Sequence, residues 1–491
     1  MMRLLLLTHR YLGIAVGLLM VMWCLSGVVM MYHGYPALRE RVRLEHLAPL
    51  VWRECCKISA ALEAESAGNS QIEMLAGRPV LFTGSPHSAR PIDLLTGAIA
   101  RISVDQAASV ARSFSGRAGP TPRLLGLIGH DQWTVSGDFN ADRPLFHFAL
   151  DDVPGTELYV SSITGRAVQI TTARERFWNW FGAVPHWLYF SELRRNAWAW
   201  SQVVIYTSLL GCFLAGFGIY LGWRQLAAQP AGRWSPYQGF NLWHHAAGLI
   251  FGILTLSWVL SGLLSMNPWG WLEGSGTQSE NAKLRGTAEP SLARIGAALQ
   301  AFADGGALAD GGALADGAAS DAVSLRVAPL NGEIYFVAST AGGERRRFGA
   351  AAAAAPLSSD DLTFLAGVLS GSGAPITPQL MSREDNMYFS HHRDVVALPV
   401  YRLILPGSGT RYYVDAVAGT LVAKLDSNAQ AYRWLHEGLH RLDFTALLRG
   451  RPQWDVLMLV LLSGVTVVCV TGAYLGFRRL TRSTKTSSAK T

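Results

Sequence analysis

Apolar residues gather along this chain into four uninterrupted runs, residues 11–32, 203–223, 246–266 and 456–477, none of which contains Asp, Glu, Lys or Arg. A helix crossing a bilayer needs about 20 such residues, so each run predicts a membrane helix. The first is too long for the apolar core of a signal peptide, and no small-x-small cleavage site follows it, so it is read as a retained helix. Between the runs the period changes. Residues 146–150 and 157–160 alternate as strands around a Pro-Gly turn, residues 403–405 and 411–415 repeat that hairpin, and residues 104–114 read as a short helix. The expected fold is an α-helical four-span membrane bundle carrying two α+β domains with antiparallel sheets.

Composition agrees. Only 16% of the 491 residues are charged and half are apolar, against about 25% charged in an average soluble protein. Mean hydropathy is +0.20, which excludes a purely soluble enzyme. Five cysteines exclude a disulfide scaffold. The net charge is +7, and its placement decides what it means. Four spans leave residues 1–10, the loop before the third span and the tail 478–491 on one side. These hold Arg3, Arg10, Arg224, Arg233, Arg478, Arg479, Arg482, Lys485 and Lys490 and no acidic residue. The rest of the chain is slightly acidic, so the positive excess marks the cytoplasmic side and not a nucleic-acid partner. The expected layout is helix 1 within 1–33, an outer domain at 34–202, helix 2 at 203–223, a cytoplasmic loop at 224–245, helix 3 at 246–266, a second outer domain at 267–455, helix 4 at 456–477 and a basic tail at 478–491. Trp198, Trp200, Trp243, Trp269, Trp271 and Trp454 near the span ends read as interfacial anchors.

The two halves match. His9, Gly13, Gly17, Trp23, Ser26 and Gly27 recur at an offset of 235 as His244, Gly248, Gly252, Trp258, Ser261 and Gly262. His186, Leu188, Phe190, Trp200, Gly218, Tyr220 and Gly222 recur at 254 as His440, Leu442, Phe444, Trp454, Gly472, Tyr474 and Gly476. The outer segments match at 254 as well, with Gly155, Thr156, Tyr159, Val160 and Gly165 against Gly409, Thr410, Tyr413, Val414 and Gly419. The chain reads as two parallel repeats of helix, outer domain, helix. The second copy adds an Ala-Asp-Gly-Gly-Ala-Leu repeat from residue 303 and an all-alanine run at 350–355, read as loop insertions.

Histidines carry the candidate chemistry. His9, His244 and His245 fall at the cytoplasmic ends of helices 1 and 3, His33 closes helix 1 outside, and His186, His436 and His440 precede helices 2 and 4 outside. A single histidine at a helix end is an ordinary interfacial residue. Duplicated histidines on symmetry-related helices are different, because they bring one imidazole from each half toward a common axis. That is what bis-histidine haem b ligation in a bundle requires, with His9 and His244 (or His245) at the inner face, His186 and His440 at the outer face, and His33 and His436 as alternative outer ligands. No Cys-x-x-Cys-His is present for covalent haem attachment. His9 to His33 spans about 36 Å of helix, so one haem cannot bridge it and two, one near each face, are expected. Gly13, Gly17, Gly248 and Gly252 either pack helices closely or make room for a porphyrin. His436 and His440, one helical turn apart, leave a mononuclear metal site open. His391 and His392 fit either a solvated loop or a substrate contact. Cys24, Cys212 and Cys469 read as packing residues, while Cys55 and Cys56, adjacent and external, have no assigned role.

At these residues the sequence resembles the PepSY-associated transmembrane family. His9-Arg10-x-Leu12-Gly13, the Ser-Gly endings of helices 1 and 3, His-x-Leu before helices 2 and 4, and Tyr413-Val414-Asp415-x3-Gly419 carry the resemblance, with Ser161 standing where the second copy has Asp415. It implies PepSY-like outer domains in the periplasm of a bacterial inner-membrane protein. It also implies haem b and electron transfer to a periplasmic ferric siderophore or similar chelate. No strand-GxGxxG-helix unit is present and the cytoplasmic loops are short, so the electron donor is expected to be separate, a quinol, a reduced flavin or a protein. Two other functions compete: a non-catalytic membrane-anchored PepSY module that senses or inhibits peptidases, and a transporter. The lack of any charged residue within the spans weighs against the transporter.

Overall fold

The computed structural model describes residues 2–51, 55–84, 89–116, 118–286, 289–304, 321–371, 376–391 and 395–488, with the backbone alone for 482–488. Four helices are long and apolar enough to cross a membrane, Met2–Tyr32, Ala197–Ala227, Phe240–Ser265 and Gln453–Thr481, as the apolar runs predict. Each continues past its run by one to three turns. The first packs on the second and fourth, and the third packs on the second and fourth. Met20, Cys24, Trp258, Val259, Met458, Leu462, Val465 and Cys469 form the shared core of the bundle. One end of the bundle carries the short connection between the second and third helices and both chain ends; we call it the loop end. The long segments leave from the other end, the sheet end.

Three antiparallel sheets hang from the sheet end. The segment after the first helix forms β1 (Gln71–Leu75), β2 (Arg78–Thr83) and β3 (Arg90–Asp93), then β4 (Arg123–Ile128), β5 (Leu145–Ala149), β6 (Glu157–Ser161) and β7 (Ala167–Thr171). The segment after the third helix forms β8 (Ala322–Val327), β9 (Tyr335–Thr340) and β10 (Arg345–Gly349), then β11 (Gln379–Met381), β12 (Val400–Ile404), β13 (Arg411–Asp415) and β14 (Leu421–Leu425). Strands β4 to β7 and β11 to β14 make two four-stranded sheets, each in chain order. The predicted hairpins are β5–β6 and β12–β13. The other six strands join in the order β10-β9-β8-β1-β2-β3. The two outer segments are therefore not independent: β1 pairs with β8, Ile72 opposite Leu325. Ile72, Leu81, Ile92, Leu325 and Phe336 bury their side chains on one face of this joint sheet, against Leu292, Ile295, Leu299 and Phe302 of a helix.

Short helices cover the smaller sheets. Val104–Ser115 opens with a capping box from Ser103 and Gln106, and buries Ala107 and Ala111 against Phe146, Phe148 and Val160. Ser359–Ser370 does the same from Ser358 and Asp361, packing Leu365 and Leu369 on Leu403, Tyr412 and Val414. Ser161 substitutes well for Asp415: its hydroxyl accepts from the Ile163 and Thr164 amides, as the Asp415 carboxylate does from Val417 and Ala418. Cys55 and Cys56 are joined in a disulfide inside the joint-sheet core. Residues 350–355 form a turn that folds back on Phe348, while the Ala-Gly repeat lies almost wholly outside the described residues.

Candidate functional site

The duplicated histidines meet in two pairs, one near each end of the bundle. At the loop end the rings of His9 and His244 have centroids 6.3 Å apart, and at the sheet end those of His186 and His440 are 6.1 Å apart. Two imidazoles on opposite sides of one metal ion, with bonds of about 2 Å to nitrogen, place their ring centres about 6 Å apart. Along the first helix, His9 and Ser26, which contacts His186, are separated by 17 residues, about 25 Å.

At the loop end each histidine sits on its own helix and leans on the next. His9 Nδ1 lies 3.1 Å from the Leu214 carbonyl, and His244 Nδ1 lies 3.2 Å from that of Val468 and 3.1 Å from Thr471 Oγ1. Leu214 and Val468 differ by the same 254 that relates the second and fourth helices. A carbonyl only accepts, so in both rings Nδ1 carries the proton and Nε2 keeps its lone pair. A Cβ on Gly218 would come 2.8 Å from His9 Cε1, and one on Gly472 would come 3.0 Å from His244 Cε1. Only glycine lets the rings lie this close to the neighbouring helix.

At the sheet end the histidines come from the loops that lead into the second and fourth helices. His186 Nδ1 is 3.1 Å from Ser26 Oγ and 3.2 Å from the Trp23 carbonyl. His440 Nδ1 is 3.0 Å from Ser261 Oγ and hydrogen-bonds the Trp258 backbone. The serine hydroxyls are spent as donors on backbone carbonyls, so Nδ1–H again donates and Nε2 is again unprotonated. The Ser-Gly pair thus has a purpose: serine fixes the tautomer, and Gly27 and Gly262 give the ring edge its seat, 3.5 and 3.6 Å from where a Cβ would stand. The indole N–H of Trp200 donates to the Trp187 carbonyl at 2.8 Å, and that of Trp454 to the Arg441 carbonyl at 2.6 Å, each pinning the residue after a histidine. Leu188 and Leu442 then take left-handed backbone, φ 53° and 55°, to turn the chain. Burial pushes the His186 imidazole down to about 4. It pushes His440 down to about 3, with help from His186, His436 and Arg441. Both rings are neutral at physiological pH.

A cavity of about 430 Å³ surrounds the loop-end pair, within the usual 300–1,000 Å³ of a cofactor site. Gly13, Gly17, Gly248 and Gly252 all line it. Gly17 and Gly252 also take helix contacts, with a Cβ 3.6 Å from Ala473 and 2.9 Å from Ile219, whereas Gly248 faces open space. Gly17 and Gly252 thus serve close helix packing, while Gly248 leaves space open beside the histidines. Arg10, Arg478 and Arg479 line the same cavity. At the sheet end the buried indole N–H of Trp258 meets no acceptor among the described residues. Trp258 is also the residue whose backbone hydrogen-bonds His440, so this unsatisfied donor belongs to a residue of the sheet-end site. The donor set and glycine seats at both ends, and the cavity at the loop end, are compatible with bis-histidine haem: His9 and His244 would hold one group and His186 and His440 another.

The remaining histidines part company. His245 is 6% exposed and spends both nitrogens, Nδ1 on Ser235 Oγ at 2.8 Å and Nε2 on the Gly222 carbonyl at 2.9 Å. It ties the loop to the second helix and has no lone pair to give, which corrects the expectation that it competes with His244. His33 stacks on Trp178 at 5.0 Å instead of joining the sheet-end pair. His436 does join it, 5.5 Å from His440, with Nδ1 on the Ser261 carbonyl. Among the described residues no three His, Cys, Asp or Glu side chains are grouped to hold a metal ion, which removes support for a mononuclear site at His436 and His440. His391 faces Glu437 at 3.6 Å and Arg441 at 2.7 Å, and His392 lies outside the described residues. Trp198, Trp243, Trp269 and Trp271 are exposed as anchors should be, but Trp454 turns inward. Sequence reasoning gave Trp200 and Trp454 the wrong task; their shared offset with the histidines was the available signal. Cys24 and Cys469 touch, Sγ to Sγ 3.7 Å, in the bundle core.

A protein-family model described as the PepSY-associated TM region matches residues 6–479. No curated protein matches the chain.

Proposed function

The chain belongs to the PepSY-associated TM family, and from that premise we propose that this multi-pass membrane protein is a haem b reductase. It passes electrons across the bacterial inner membrane to a ferric siderophore or similar ferric chelate. In this reading the chain is a duplication of two parallel repeats. The loop end, with its nine basic residues, faces the cytoplasm and the sheets stand in the periplasm. Haem b supplies one-electron Fe(III)/Fe(II) chemistry at each imidazole pair.

One observation carries the proposal: four histidines, on four separate elements, all commit Nδ1–H to the protein and leave Nε2 without a partner among the described residues. A histidine kept only for packing has no reason to repeat that state four times, in two pairs at metal-bridging distance. The chain's own residues set the rest. The Nδ1–H bonds raise imidazole basicity and fix ring orientation. Arg10, Arg478 and Arg479 stand at the loop-end cavity where cations would receive carboxylates of a bound group. The apolar core between the pairs excludes water and competing protons. A separate quinol, reduced flavin or protein donates electrons on the cytoplasmic side. One electron delivered outside converts the chelated Fe(III) to Fe(II), which binds hard oxygen ligands less tightly.

The test is an optical spectrum of the detergent-purified protein, oxidised and then dithionite-reduced, with a pyridine-haemochrome count. The proposal expects sharp b-type bands at about two haems per chain. A colourless protein, even when produced with haem supplied, overturns it and leaves a membrane-anchored PepSY module that binds or regulates without redox chemistry.

A further inference from the structure

The sheet-end pair is flanked differently by the two halves. At the 254 offset, Trp178, Asn179, Gly182 and Ala183 of the first half correspond to Tyr432, Arg433, His436 and Glu437 of the second. The first set is uncharged and offers no titratable group. Trp178 stacks on His33, Asn179 is fully buried with its amide on the Gly34 carbonyl, and Gly182 is pressed against Val29 and Met30. The second set is polar and winds as a π-helical turn, Arg433–Gly438, a local irregularity that recurs at functional sites. It borders a cavity of about 560 Å³ between the end of the third helix and the second small sheet.

We propose that this cavity is the docking site of the ferric chelate, and that electrons leave the bundle through the second half alone, by way of His436 and Tyr432. The proposal rests on the haem reductase reading and adds to it a place and a direction. The ring contacts are continuous. His440 to His436 is 5.5 Å between centroids, His436 to Tyr432 is 5.1 Å, and Tyr432 lines the cavity. Among the described residues the His186 ring has no ring contact besides His440, and the first-half run Trp187–Tyr35–Trp133–Trp180 does not touch it, because glycine stands where the second half has His436.

The lining also indicates the ligand. Tyr388, Phe389 and Tyr432 offer aromatic rings. Most of the charged groups are matched, Lys424 to Glu280 at 2.6 Å, Arg433 to Asp443 at 2.8 Å, and Glu437 to His391 at 3.6 Å, which leaves the exposed carboxylate of Glu273 on the lining without an ion pair among the described residues. With its cations paired and one carboxylate left over, the cavity does not favour an anionic chelate and suits a compact one with no net charge, held by its organic faces. In the redox step the chelate's ferric ion would gain one electron, supplied by the one-electron carrier that His186 and His440 would hold. No bond forms or breaks, and the quinol or flavin donor on the other side restores the electron.

The experiment separates docking from reduction with a redox-inert probe. Binding of neutral gallium(III) tris(maltolate) to the full chain is measured by calorimetry, then reduction of iron(III) tris(maltolate) is followed in a single turnover of the dithionite-reduced protein. Tyr432→Ala and His391→Ala are expected to weaken gallium-chelate binding at least tenfold, while Trp178→Ala, the first-half counterpart, changes it less than twofold. His436→Ala is expected to keep the b-type spectrum and the gallium affinity but to slow electron transfer to the iron chelate at least tenfold. Unchanged gallium binding in both Tyr432→Ala and His391→Ala overturns the docking site. An unchanged transfer rate in His436→Ala overturns the exit route. Absence of haem in the parent protein defeats the reductase reading instead, and the gallium measurement then still decides whether the cavity binds such chelates.

Discussion

The two ends of the bundle reach the same imidazole state by different constructions. At the loop end the histidine belongs to a long helix, its Nδ1–H goes directly to a backbone carbonyl of the neighbouring helix, and a glycine on that neighbour must stay bare for the ring to fit. At the sheet end the histidine belongs to a helical piece of about one turn in the connection to the next span. So short a helix has little stability of its own, so more restraints appear: a serine on the facing helix, a tryptophan on the following helix, and a left-handed leucine at the turn. Precision in a long helix needs little support, and precision in a short connecting piece has to be built from several weak bonds.

Histidine removal tests this comparison most strongly. His9→Ala or His244→Ala is expected to lower the haem count from about two to about one per chain, and His186→Ala or His440→Ala to remove the other one. Reduced spectra of the two sets should add up to that of the parent protein. Loss of both haems from any single variant would show that the ends are not separate sites. The next effect is steric. Gly218→Ala and Gly472→Ala put a methyl 2.8 and 3.0 Å from a ring carbon, where helix backbone cannot yield, so a tenfold or greater loss of loop-end haem affinity is expected in titrations of haem-depleted protein. Gly27→Ala and Gly262→Ala meet their rings at 3.5 and 3.6 Å, ordinary contact, and are expected to retain the sheet-end haem. Equal sensitivity at both ends would contradict the idea that the loop end alone depends on bare helix contact.

Much of this was legible in the sequence. Spans announce themselves because lipid forbids charge over about 20 residues, and the β5–β6 and β12–β13 hairpins announce themselves because their strands are adjacent in the chain. The histidine pairs were legible through their offsets. The pairing of β1 with β8 was not. The strands are about 250 residues apart, and no local pattern specifies a partner at that distance. His245 and His33 were misjudged for a related reason. Sequence places a residue at a helix end but not on a face of it, and His245 is turned toward Ser235 while its neighbour His244 is turned toward Val468. Trp200 and Trp454 look like interfacial anchors by position, and only the contact with a carbonyl shows otherwise.

The tryptophans supply a smaller effect. Trp454 is 5% exposed and its N–H bond to Arg441 is short, so Trp454→Phe leaves a carbonyl without its donor at a cost of about 1–2 kcal/mol. The expected outcome is a lower thermal midpoint and a broadened sheet-end haem band, with the loop-end band unchanged. Trp200→Phe should cost less, because its indole is more accessible to solvent and water can replace the lost bond.

Serine removal at the sheet end should matter least, and the reason is specific. Ser261 Oγ donates to the Trp258 carbonyl at 3.0 Å and accepts from His440 Nδ1. Ser261→Ala removes one of two acceptors but leaves the Trp258 backbone bond to the Nδ1–H, as the Trp23 carbonyl serves His186 at 3.2 Å. The tautomer survives, so the haem count should stay at about two. What changes is the strength of the bond behind the ring. A weaker bond makes the imidazole a poorer electron donor to iron, so the midpoint potential of the sheet-end haem should rise in a redox titration while the loop-end haem keeps its own. Loss of the sheet-end haem in Ser261→Ala would mean that the serine holds the ring in place and does not merely tune it. The loop would then depend on one hydroxyl, and the idea that several weak bonds share the work at that end would fail.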